Sequence, residues 1–80
     1  MLQHDPYKLH RRKKYSVTLR KFDSDFVFRT SILLSDMDIR KVESSSLLKN
    51  GTETYKCVAI VDAKGGSVYE NTREIKKCQL

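Results

Sequence analysis

Tyr15, Val17 and Leu19 alternate with polar residues, and a period of two is the mark of a half-buried β-strand, so this short run restricts the fold more than any other part of the chain. A second run follows at once. Residues 14–22 and 25–33 read as two strands joined through Asp23 and Ser24. Pairing them through an even loop sets Leu19 opposite Phe28, Val17 opposite Thr30 and Tyr15 opposite Ile32, which makes one side nearly all apolar. A slip of one residue would bring Arg20 opposite Phe28 and mix charge into that side, so the even register is expected. The other side then carries Lys14, Ser16, Thr18 and Arg20 beside Val27, Arg29 and Ser31, a basic face with no acid in its middle.

The hairpin grows directly out of a basic block. Up to Phe22, Lys8, Arg11, Arg12, Lys13, Lys14, Arg20 and Lys21 stand against a single acid, Asp5, an excess that equals the chain's formal net charge of +6. From Asp23 onward nine cations face nine acids and cancel. The positive charge is therefore localised, and a partner held by it is held against a folded surface. Residues 1–10 read as an irregular arm, with Asp5-Pro6 favouring a turn, and residues 11–80 as one domain.

Downstream, Ser35 with Asp38 three residues on marks a helix start, and Asp36 and Asp38 fall where the helix dipole favours acids. Lys49, Asn50 and Gly51 supply a helix stop. Between them the apolar stripe of Ile39, Val42, Leu47 and Leu48 is ragged, and Ser44, Ser45 and Ser46 have poor interior propensity, so a helix that is short or broken at the serines is expected. The competing reading makes 37–43 a strand and Asn50-Gly51 a hairpin turn, which gives a small all-β barrel. The capping pattern favours the helix.

Residues 54–63 have apolar side chains at both parities (Cys57, Ala59 and Val61; Val58 and Ile60), as expected of a central strand covered twice. Lys64, Gly65 and Gly66 turn the chain, and 67–76 returns as a mostly polar edge strand whose charges discourage pairing with other molecules. The resulting expectation is an α+β domain, ββαββ in order, with an antiparallel sheet and one short helix.

Eighty residues hold one core, and a chain of this size buries only about 60% of the surface its unfolded form exposes. Homodimerisation would enlarge that core. With 39% hydrophobic and 32% charged residues the chain reads as a small soluble globule. It contains no apolar run of membrane-spanning length, and its opening residues lack the apolar segment of a signal peptide, so no membrane association and a cytoplasmic location are expected. The two cysteines read as thiols, Cys57 as a small core residue and Cys78 as an exposed one near the end. With His4 and His10 on the arm at no paired spacing, a four-ligand zinc site is not expected, nor any other cofactor.

For function, the cations at 10–14 are the strongest signal, because closely spaced Lys and Arg displace condensed counterions from a phosphate backbone. Tyr7, on the arm, and Phe22, beside the hairpin, are the aromatics placed to stack on bases, whereas Tyr15, Phe26 and Phe28 belong to the core side. Lys64-Gly65-Gly66-Ser67 lacks the pattern of a P-loop and reads as a turn. Asp36 and Asp38 are helix-start chemistry, and no Ser, Cys or His constellation points to catalysis, so the chain is expected not to be an enzyme. No RNA-recognition, KH, zinc-finger or helix-turn-helix motif is present. In compactness and in its Lys/Ser/Asp-rich composition the chain resembles small accessory proteins of tailed bacteriophages, a likeness that assigns no family.

The expected function is a small, regulatory, basic nucleic-acid-binding protein with little sequence specificity, RNA favoured over DNA for want of a groove-reading helix. Lys8, Arg11, Arg12, Lys13, Lys14, Arg20 and Arg29 would contact phosphates, with Tyr7 or Phe22 stacking. The alternative is an inhibitor or adaptor, of phage type, whose basic surface docks on an acidic protein or a nucleic-acid-handling enzyme.

Overall fold

The computed structural model describes residues 11–78, with side chains through Lys76. The alternating runs form β1 (Lys13–Arg20) and β2 (Val27–Leu34), paired antiparallel in the expected register: Tyr15 faces Ile32, Val17 faces Thr30 and Leu19 faces Phe28. The strands end earlier than expected, at Arg20 and Val27, and the even parity survives in a longer loop, 21–26. Within it the Lys21 N–H donates to Phe26 O at 3.2 Å and the Phe26 N–H to Ser24 Oγ at 3.0 Å.

Helix α1 (Asp36–Ser45) starts at the capping box read from the sequence. Ser35 Oγ accepts from the Asp38 N–H at 3.1 Å, and an Asp38 carboxylate oxygen accepts from the Ser35 N–H at 2.9 Å. These bonds, the backbone one foremost, hold the Asp38 carboxyl below the usual carboxylate range. The helix ends at the serines, not at Asn50-Gly51. Ser44 and Ser45 return their hydroxyls to Lys41 O at 3.1 and 2.7 Å, and Ser46 takes the left-handed conformation (φ 63°), its N–H bonded to Val42 O.

Ending there frees the next residues for β3 (Leu47–Asn50), which turns at Gly51 (φ 70°) into β4 (Glu53–Val61). The helix and the Asn50-Gly51 hairpin, treated in the sequence as rivals, therefore coexist. The sheet is not a closed barrel: its order is β2-β1-β4-β3, with β5 (Ser67–Glu70) also paired to β4. β4 is central, as expected, with β1 on one edge and β3 then β5 on the other.

A register shift changes which of its residues face the core. Thr18 pairs with Ala59 but Leu19 with Cys57, so the strand bulges at Val58 and both Cys57 and Ile60 join Val17 and Leu19 in a fully buried cluster. Simple alternation would have put Cys57 and Ile60 on opposite sides. Ile39 and Val42 of α1, with Leu34 and Leu48, cover this face. Burial pushes the Cys57 thiol up to about 12, in keeping with its expected role as a core residue.

The turn after β4 is closed by Asp62, whose carboxylate accepts from the N–H groups of Lys64 and Gly66 at 2.9 and 2.8 Å. The last segment departs most from expectation. Only Ser67–Glu70 is strand, and the chain then forms a second helix, α2 (Thr72–Cys78). Asn71 caps it, its side-chain oxygen accepting from the Glu74 N–H at 3.2 Å, and the Asn71 N–H donates to Val58 O at 2.8 Å at the bulge. The element order is thus ββαβββα, still an α+β fold.

Candidate nucleic-acid interface

At the start of β1 the pairing of Lys13 with Leu34 and of Lys14 with Leu33 fixes the backbone beneath the basic run. Arg11, Arg12, Lys13 and Lys14 are all exposed, and none of them has a carboxylate within ion-pair distance among the described residues. Lys8 and Tyr7, with the rest of the arm, lie outside the described residues.

Arg12 looks into a cleft of about 650 Å³ beside α1, and the fold brings Lys41 and Lys49 to the same cleft. Its floor includes the aliphatic side chains of Leu34, Val42 and Leu48. One acid, Asp38, lines it, and that carboxylate is already bonded to Ser35. Nothing in the linear sequence joins Lys41 and Lys49 to residues 11–14, since they lie far from them and in a stretch of balanced charge. Acids also approach this end of the sheet. The Tyr15 hydroxyl, raised first by burial, feels both Asp36 and Asp62.

Arg29 is exposed on the outer face, paired in register with Thr18. Arg20, expected to share that face as a phosphate contact, has a different environment. It is 8% exposed, its Nε makes a buried ion pair with Glu74 of α2, and Nη1 donates to Ser24 O at 2.9 Å and Lys21 O at 3.2 Å. Its charge is spent within the protein, tying α2 to the hairpin loop. The face expected to have no acid in its middle therefore receives one at Arg20, carried in by a helix where the residue pattern predicts a strand.

Phe22 is exposed, at 45%, but stands at the far end of the eight-residue β1 from residues 11–14, about 25 Å away at strand rise. Its neighbours there include Asp23 and Glu53. Phe26, at 56%, is more exposed than the sequence implied: it stacks on Phe28 at 5.8 Å, with Lys21 Nζ 5.7 Å from its ring centre. The Lys64-Gly66 turn offers no phosphate cradle, because Asp62 already occupies its amides.

No helix among the described residues is long and apolar enough to cross a membrane, and they contain no group of three or more metal-ligating side chains. Comparison with known proteins finds no matching family model, no matching curated protein and no matching solved structure.

Proposed function

We propose that this is a small non-enzymatic domain that binds the phosphate backbone of nucleic acid, RNA ahead of DNA, through Arg11, Arg12, Lys13 and Lys14, extended by Lys41 and Lys49 along the cleft and by Arg29 on the outer face. The observation that carries the reading is the run of four exposed cations with no carboxylate within ion-pair distance among the described residues, its last two, Lys13 and Lys14, opening a strand whose register is fixed. Arg20 contributes nothing directly. RNA is favoured because α1, the longer helix, packs Ile39 and Val42 against the sheet and turns acids (Asp36, Glu43) as well as Arg40 and Lys41 to solvent, a mixed face unsuited to a major groove.

The test is a titration of generic single-stranded RNA and duplex DNA across a salt series. Each neutralised phosphate adds about 0.7 to 0.9 to the slope of log affinity against log salt. Replacing residues 11–14 by Ala is expected to lower that slope by about 3 while leaving the folded spectrum unchanged. Unaltered binding by that variant would remove the reading.

One observation favours a second reading, an adaptor or inhibitor that docks on an acidic protein. The cleft has a cationic rim over an aliphatic floor with no aromatic ring for stacking, which suits an acidic segment with aliphatic anchors. Purified protein that is free of 260 nm absorbance and shows no salt-dependent affinity for RNA would favour it.

A further inference from the structure

The two edges of the sheet are built differently. On one side the outer edge of β4 is divided between two four-residue strands, β3 and β5, and the pairing shifts register between Ile60 and Val61. Short strands and bulges of this kind discourage a foreign strand from pairing. On the other side β2 runs for eight residues in unbroken register with β1, and among the described residues no strand pairs with its outer edge. It contains no proline, no lysine and no bulge; Arg29 is its single charge.

The residue pattern along this edge is a palindrome in polarity. Val27 and Phe28 are apolar, Arg29, Thr30 and Ser31 polar, and Ile32 and Leu33 apolar again. We propose that β2 pairs antiparallel with β2 of a second copy of this chain, about a two-fold axis at Thr30, so that two sheets join into one. A two-fold perpendicular to the sheet keeps each face on its own side, so paired residues must share parity. With the axis at Thr30, Phe28 meets Ile32, Val27 meets Leu33 and Arg29 meets Ser31.

Leu33, 57% exposed, gains an aliphatic neighbour, and no cation is placed directly opposite another. An axis at Ser31 would instead set Arg29 against Leu33. Phe26, just before the strand, comes alongside Leu34 of the second copy in the Thr30 register. Because Ile32, Leu33 and Leu34 also line the cleft, the incoming strand lies along one wall of it. The pattern selects a second copy over an unrelated strand because both ends of β2 ask for the same partner. For a chain this small the joined sheet also enlarges the buried surface. The pairing sets the two Lys14 residues on one face of the joined sheet, about 25 Å apart by strand spacing and rise.

The test is sedimentation equilibrium of the full chain, freed of nucleic acid, from micromolar to millimolar concentration. A reversible species of twice the 9.3 kDa chain mass is expected. Ser31 is exposed and sits opposite Arg29 of the second copy in this register only. Ser31→Glu should tighten the dimer and Ser31→Lys should weaken it, each by about tenfold. Hydrogen exchange at the outward amides of β2 should slow as concentration rises. A chain that stays monomeric throughout overturns the proposal, as does a dimer that responds equally to both substitutions. Neither result depends on whether the protein binds nucleic acid.

Discussion

Arg20 and Arg29 sit on the same face of the same hairpin, and the fold gives their charges opposite uses. Arg29 opens to solvent, whereas Arg20 is covered and paired with a carboxylate that arrives from 54 residues further along. Burying two charges is offset only where both are satisfied, so breaking such a pair is worse than removing it. Arg20→Met leaves the Glu74 carboxylate buried without this partner and is expected to destabilise by about 3 to 5 kcal/mol, whereas Arg20→Met with Glu74→Met should recover most of that loss. Urea denaturation of the single and double variants checks this; equal losses in both would show that the cost comes from removing Arg20 itself and not from the carboxylate left behind. The double variant should keep the wild-type salt dependence of RNA binding. Nothing local to Arg20 distinguishes it from Arg29 in the sequence, because the distinguishing atom lies on α2.

At the scale of the element, short-range chemistry explains most starts and stops. The Ser35/Asp38 box was legible because both partners lie within four residues of each other and bond only in a helical start. Ser35→Ala is expected to cost about 1 kcal/mol. Asp38 has its carboxyl held low in the folded chain, so its contribution is present above its unfolded pKa, about 3.9, and is lost as pH falls through the folded value. Asp38→Asn should therefore lower stability at neutral pH and converge on the wild type in acid, as measured by denaturation at a series of pH values.

The serine triplet was readable as a weakness but not as the cap. Asn50 and Gly51 are better left-handed residues than Ser46, yet they were needed for the β3-β4 turn. Asn71 with Glu74 three residues on is a second cap signal, masked by the alternation of Val68 and Tyr69 with polar neighbours that made 67–76 read as one strand.

For the whole molecule, the cationic surface is wider and differently drawn than a linear count implies. It loses Arg20 to the interior and, by way of the cleft, gains Lys41 and Lys49 beside Arg12. Under the proposed function, Lys41→Ala with Lys49→Ala should lower the salt slope by about 1.5, whereas Phe22→Ala, at the opposite end of β1, should leave affinity for short oligonucleotides nearly unchanged. A loss on Phe22→Ala equal to that of the lysine pair would move the binding path to the loop end of the hairpin.

The hairpin register, the start of α1, the centrality of β4 and the location of the excess charge follow from the residues alone, because each rests on side-chain parity, on bonds within four residues or on a simple sum. The bulge at Val58, the second helix, the company of Arg12 in its cleft and the burial of Arg20 emerge with the folded chain. Those outcomes depend on which distant segments come to lie against one another, and the free energy of such contacts is not written in any one of the segments that make them.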